Sequence, residues 1–267
     1  MLLNFITWNV DPVLVHLGPL VIRWYGLLWA VGIYATLLIT QKLYEHEKLP
    51  IEWLDKLFIY TVVGTIIGAR LGHCIFYGWD YYSAHPIEIL YIWHGGLASH
   101  GGAIGILVAM YFFNKNVSKK GYIWIFDRLV IGVAICGASI RLGNLMNSEI
   151  YGSATTLPWG FIFAKDPQSD GLAHHPTQIY EILYCLITFV VTWWLYWKKE
   201  AYKKKGLIFG VFLIGIFGSR FLLEFIKLNQ EAFESGMILN MGQILSIPFI
   251  IWGIWLIVKS NKTVSIS

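Results

Sequence analysis

The sequence predicts an all-α integral membrane protein with seven transmembrane helices, a small outward-facing subdomain and interfacial arms. Three observations carry that expectation. First, the 267 residues are 57% hydrophobic and only 13% charged, against about 25% charged in a typical soluble domain. A core of this size cannot bury so much apolar surface, so lipid must solvate much of the chain. Second, the apolar residues come in runs of about 20, the length that crosses a bilayer as a helix. Third, lysines crowd into every second connection between those runs. That is a membrane topology signal, not a nucleic-acid-binding face, and the net charge of +4 is modest.

The chain, 1–267, reads as a single membrane domain, and its spans follow in order. The first, about 20–41, carries Arg23 and Tyr25 near its start and is followed by Lys42, Lys48 and Lys56. The second, about 57–77, repeats glycine at 64, 68 and 72, a spacing that favours close helix packing. Gly78 to Trp93, with Trp79, Tyr81, Tyr82 and Tyr91, suits an arm lying at headgroup level. The third span, about 97–114, opens on Ser99-His100-Gly101-Gly102 and is followed by Lys115, Lys119 and Lys120. Gly101 with Gly105 again suggests packing, although glycines beside His100 would also let a ligand approach the backbone.

The fourth span, about 123–146, leads into the 147–178 connection, read as the outward-facing subdomain. At about 30 residues that connection is long enough to favour a functional role. The fifth, about 179–197, follows the Pro-marked stretch His175-Pro-Thr-Gln-Ile-Tyr-Glu181 and precedes Lys198, Lys199, Lys203, Lys204 and Lys205. The sixth, about 206–227, pairs Gly206 with Gly210 and holds Arg220 and Glu224. The seventh, about 241–259, starts near Gln243 and ends at Lys259 and Lys262. With Lys-rich connections cytoplasmic, the N-terminus lies outside and the C-terminus inside. The start shows neither a basic region nor a small-residue cleavage site, so no cleaved signal peptide is expected. Cys74, Cys136 and Cys185 fall inside apolar runs and read as packing residues.

All five arginines lie in or at the edge of an expected span. An arginine at a helix centre costs about 2.5–3.5 kcal/mol on insertion scales. Arg128, beside Asp127 at a cytoplasmic end, is explained by a local ion pair or by snorkelling. The other four share the outer-leaflet depth: Arg23, Arg70, Arg141 and Arg220. His100, Asn144, Glu181, Glu224 and Gln243 sit at the same depth. Such a cationic cavity suits an anionic headgroup, because arginine offers phosphate a fork of donors. The plainer alternative is that each arginine pairs with a carboxylate to hold helices together; Arg220 and Glu224, one turn apart, would neutralise each other. The shared depth favours the anionic site.

The densest polar run is Arg141-Leu-Gly-Asn144-Leu-Met-Asn147-Ser-Glu149-Ile-Tyr-Gly152. Arg141, Asn144 and Ser148 fall near one helical face, whereas Asn147 and Glu149 do not. The helix is therefore expected to end or unwind there, with Gly152 as a terminator. His100 suits a general base or a hydrogen-bonded packing residue, and its neighbours leave both open. No metal cluster, HExxH, P-loop, dinucleotide fingerprint or serine nucleophile elbow is present. Neither a metal, a cofactor nor a covalent enzyme intermediate is indicated.

At these residues the chain resembles the prolipoprotein diacylglyceryl transferases over nearly its whole length. The likeness rests on Arg-Trp-Tyr-Gly at 23–26, Gly-Ala-Arg-Leu-Gly at 68–72, His-Gly-Gly at 100–102 and the Arg141–Gly152 run. It extends to residues 175–181, Arg220 with Glu224, and Met-Gly-Gln at 241–243. The chain departs from the family pattern at Ile140, at Leu145 and around Lys227. The resemblance implies seven spans in a bacterial cytoplasmic (inner) membrane and a site facing outward. It implies phosphatidylglycerol as donor and the lipobox cysteine in the signal peptide of a lipoprotein precursor as acceptor. The products would be a thioether and glycerol phosphate. Carried over by position, Tyr25, His100, Arg141 and Arg220 would be catalytic. Arg141, Asn144, Glu149, Gly152 and Glu224 would contact substrate, and the shared depth adds Arg23, Arg70 and Gln243. Arg141 and Arg220 would offset the charge of the departing phosphate. Asn144 and Tyr25 would orient the headgroup, and His100 would take the thiol proton. Another outer-leaflet phospholipid-headgroup transferase is the main alternative. A transporter of an anionic solute fits less well, because no internal repeat is visible.

Overall fold

The computed structural model describes residues 5–18, 20–91, 96, 98–228 and 237–264. It is mostly helical and divides into two compact units, residues 40–125 on one hand and 1–39 with 126–267 on the other. Six helical stretches among the described residues are long and apolar enough to cross a membrane: Trp24–His46, Glu52–Phe76, Tyr122–Met146, Thr177–Lys198, Leu207–Ile226 and Met241–Asn261. Many of their large apolar side chains face outward, Ile59, Ile67, Ile187 and Trp255 among them. Lipid is the solvent that makes such a surface stable.

In the 40–125 unit, α2 (Glu52–Phe76) packs along α4 (Ser99–Phe113). Glycine makes this contact possible. A Cβ on Gly105 would sit 2.0 Å from the Gly64 carbonyl oxygen, and one on Gly68 would sit 2.3 Å from that of Gly101. The backbones therefore touch, as the glycine spacing predicts. Gly101 faces Gly68 and Gly72 of α2, so the alternative that it opens the backbone to a ligand does not hold. Between the two helices in the chain come α3 (Trp79–Ala84) and a 3-10 turn (Pro86–Leu90). These occupy the expected arm, of which Trp93 lies outside the described residues. The third expected span, 97–114, is shorter in the structure. α4 has 15 residues, about 22 Å at 1.5 Å per residue, and continues only as a π turn over Asn114–Ser118. Leu97 is not among the described residues.

The other unit contains most of α1 (Trp24–His46) and of α5 (Tyr122–Met146), with α6 (Thr177–Lys198) and α9 (Met241–Val264). Its sixth span is a broken helix: α7 (Leu207–Leu213), a π turn (Ile214–Gly218), α8 (Ser219–Leu223) and a 3-10 turn (Glu224–Ile226). α1 meets α5 where Thr36 lies against Gly132; the Thr36 hydroxyl is 2.9 Å from both the Gly32 and Gly132 carbonyls. α7 meets α9 at Gly210 and Gly253. Gly206, at the start of α7, has another part. Its φ of 92° makes it the turn into α7, where Asp127 accepts from the backbone N–H of Gly206 and Phe209 at 2.7 and 2.9 Å. Arg128 donates to the Tyr202 carbonyl at 3.2 Å. The buried Asp127 and Arg128 thus fasten the 201–209 turn to α5.

The unit is not purely helical. β1 (Ile6–Trp8) runs parallel to β4 (Phe161–Phe163), and β2 (Val13–Leu17) forms an antiparallel hairpin with β3 (Leu20–Arg23). The hairpin takes up residues 20–23, which apolarity alone assigns to the first span. Arg23 therefore ends a strand and is exposed. Trp8, Leu145, Phe161 and Phe163 pack into one small core that joins the strands to the end of α5.

Candidate active site

In the last turn of α5 the carbonyls of Gly143, Asn144 and Leu145 are satisfied before the chain leaves the helix. Asn147 donates its N–H to Gly143 (3.0 Å), Ser148 to Leu145 (3.1 Å) and Glu149 to Asn144 (3.1 Å). Trp8 Nε1 donates to the Leu145 carbonyl at 2.9 Å. The unwinding expected at this run is present, but the turn is not made by Gly152. Ser148 (φ 55°) and Ile150 (φ 60°) adopt the left-handed conformation, which for a β-branched residue such as Ile150 is strained. Gly152 instead allows close approach: a Cβ there would lie 2.6 Å from the Ile226 carbonyl oxygen and 2.7 Å from Thr177 Cγ2.

This geometry brings the polar residues of four helical segments together. Arg141 Nη1 donates to Asn144 Oδ1 at 3.1 Å. Glu149 Oε1 accepts from Asn144 Nδ2 at 2.8 Å and from Asn147 Nδ2 at 3.2 Å. Gln178 Nε2 holds the Glu149 carbonyl at 2.7 Å. On α6, the fully buried Glu181 places Oε2 2.9 Å from Arg141 Nε, and its Oε1 accepts from Lys227 Nζ at 2.8 Å. Lys227 also lies 3.8 Å from Glu224 Oε1, and that oxygen is 3.4 Å from Arg220 Nε. Gly242 of α9 leaves room for this carboxylate, since a Cβ there would lie 2.5 Å from Glu224 Oε1. The result is one chain of alternating charge, Arg141–Glu181–Lys227–Glu224–Arg220. Tyr25 rests against Gly143, two residues from Arg141.

The start of α9 is a reciprocal cap. Asn240 Oδ1 accepts the Gln243 N–H at 2.9 Å, and Gln243 Oε1 accepts the Asn240 N–H at 3.1 Å. Gln243 Nε2 reaches the Phe221 carbonyl at 3.4 Å, while Asn240 Nδ2 holds Glu224 Oε2 at 3.2 Å. Gln243 thus directs its side chain to backbone, and the neighbour that touches the ion network is Asn240. In the 147–176 segment, His175 sits beside α6. Tyr180 takes a hydrogen bond from Trp159 Nε1 at 2.8 Å, and its hydroxyl lies 3.3 Å from His175 Nδ1. Partial burial, and secondarily the nearby His174, push the His175 imidazole below its ordinary range. Burial and a hydrogen bond to Asp166 push the Tyr151 phenol up.

Arg70 and His100 belong to the other unit. Arg70 is buried and directs its guanidinium to carbonyls: Nε to Ile89 (2.9 Å), Nη2 to Glu88 (2.6 Å) and Nη1 to Gly96 (3.3 Å). It also lies over the Tyr82 ring at 5.0 Å. These contacts clasp the 78–91 arm to α2. His100 stands exposed in the first turn of α4. Lys227 is the network member that the sequence does not mark, while Glu181 stands there only among the polar residues of the shared depth. Lys227 is a solitary lysine three residues after Glu224, and that spacing is the signal the sequence offers.

Comparison with known proteins identifies the family. The family model for prolipoprotein diacylglyceryl transferase matches residues 12–259. A Porphyromonas gingivalis phosphatidylglycerol–prolipoprotein diacylglyceryl transferase is 51% identical, over 97% of this chain and 95% of the relative. A protein of the same description from Chloroherpeton thalassium is 45% identical, over 97% and 96%. One from Bacteroides fragilis is 39% identical, over 99% of each. The match spans both units and every element of the charged network, and the chain belongs to the prolipoprotein diacylglyceryl transferase family.

Proposed function

We propose that the chain transfers the diacylglyceryl group of phosphatidylglycerol to the lipobox cysteine thiol of a lipoprotein precursor. The observation that carries this reading is the alternating network, in which two partly exposed arginines, Arg141 and Arg220, are each held by a buried carboxylate. The thiolate attacks the glycerol carbon that bears the phosphate. A C–S bond forms, the C–O bond breaks, and glycerol phosphate leaves with the electron pair. Arg141 and Arg220 stabilise the charge that gathers on the phosphate oxygens. Asn144 and Tyr25 orient the headgroup, and Asn144 is itself fixed by Glu149. His100 takes the thiol proton. Gly152, Gln243 and Arg70 serve as scaffold, through close backbone approach, helix capping and the clasp on the arm. Arg23, exposed at the end of its hairpin, meets lipid phosphate.

The same reading places the chain in a bacterial inner membrane with the network on the outer side. α4 and its π turn, residues 99–118, then make the seventh crossing. The test is to incubate purified protein with phosphatidylglycerol and a lipobox peptide and to weigh the peptide. A gain equal to one diacylglyceryl group on the cysteine is expected. Headgroup turnover that leaves the peptide unmodified would point instead to a different headgroup transferase.

A further inference from the structure

We propose that Lys227 is a positioning residue that supplies the surplus positive charge of the arginine pair. This inference rests on the transferase reading. Lys227 has only 2% of its side chain exposed, and Glu181 and Glu224 have 0% and 7%. Arg141 and Arg220 are more open, at 23% and 37%. The two arginines are thus the solvent-reaching ends of a charge chain whose middle is buried.

The charge balance assigns the role. Among the five groups in direct ion contact, three cations face two carboxylates. Without Lys227, each arginine would be compensated by its own carboxylate, Arg141 by Glu181 and Arg220 by Glu224. An anionic phosphodiester would then have to compete with those carboxylates. With Lys227 present, Glu181 divides its two oxygens between Lys227 and Arg141, and Glu224 Oε1 lies near both Lys227 and Arg220. Each arginine keeps attraction to spare for a phosphate. Glu149 stands one asparagine away and its bonded oxygen is held by the Asn144 and Asn147 amides. The backbone of Lys227 is fixed as well: its N–H donates to Glu224 at 3.3 Å, and it forms an antiparallel bridge with Gly152. The ammonium is thereby held between the functional run that follows α5 and the end of the broken helix.

The test uses the full-length protein in the peptide assay, with three variants. Lys227→Met keeps the volume and removes the charge. It should raise KM for phosphatidylglycerol and lower kcat/KM by about tenfold or more, with folded protein still present. Lys227→Arg should retain most activity. Lys227→His makes the charge titratable, and its activity relative to the native chain should rise as pH falls from about 8 to 6. Folded Lys227→Met with native kcat and KM would overturn the proposal, as would a Lys227→His ratio that does not vary with pH. If neither Lys227→Met nor Lys227→His accumulates as folded protein, Lys227 is a folding residue and the proposal is wrong. If the native chain transfers nothing, the functional reading fails instead.

Discussion

Arg141 uses Nε toward Glu181 and Nη1 toward Asn144 while remaining partly exposed. A planar fork holds two protein partners and still presents a paired set of donors to a third group; an ammonium on a flexible stem is a point charge without that fixed geometry. We therefore expect Arg141→Ala and Arg220→Ala each to lower kcat/KM by about 100-fold or more, in line with loss of a donor to a developing oxyanion. Arg141→Lys should recover little. Rates should be normalised to membrane-inserted protein measured by immunoblot, and near-native rates in both alanine variants would make the arginines structural. The sequence exposes these two residues because an arginine in an apolar run is conspicuous. It hides Lys227, which looks like one more connection lysine until the fold brings Glu181, 46 positions away, within 2.8 Å. Gln243 is a different case. Its polarity at a span start suggests a ligand contact, yet Asn240-x-x-Gln243 is a capping pair.

At the scale of elements, the glycines set how close the helices come. At Gly105 an added methyl carbon would sit 2.0 Å from the Gly64 carbonyl oxygen, and backbone cannot swing aside as a side-chain tip can. Gly26, in α1, has nothing within 4 Å of the same added atom. Gly105→Ala should therefore destabilise the protein by about 1–3 kcal/mol through overpacking, while Gly26→Ala should leave the unfolding temperature in detergent nearly unchanged. Equal unfolding temperatures would show that α2 and α4 separate without cost. Helix packing of this kind is legible because a four-residue spacing is a local pattern. The strands are not: β1 and β4 are three residues each, too short for alternation to register, and their pairing joins Ile6 to Phe161. Apolar residues 20–22 satisfy a span and a strand equally well, and the hairpin with Val13–Leu17 decides between them.

For the whole molecule, the distribution of lysines makes a claim that the fold leaves to experiment. Within the larger unit, Arg141 near the end of α5, Glu181 near the start of α6, Arg220 late in the broken helix and Asn240 before α9 come together. Antiparallel succession of spans explains why the end of one and the start of the next share a level. The Lys198–Lys205 connection follows α6 at its far end, as the alternation of Lys-rich and Lys-poor connections requires. If that connection is cytoplasmic, the network faces out, toward the side where a translocated acceptor cysteine would be presented. Two sites test this in a variant whose native Cys74, Cys136 and Cys185 are alanine. Gln168 and Lys203 are both exposed, so a cysteine at either is open to reagent on its own side. In intact cells an impermeant thiol reagent should label Gln168→Cys and spare Lys203→Cys, with both labelled after the membrane is opened. The reverse pattern would put the arginines at the cytoplasmic face. The phosphate-stabilising chemistry would survive that result, but the acceptor would then have to be a thiol reached before export.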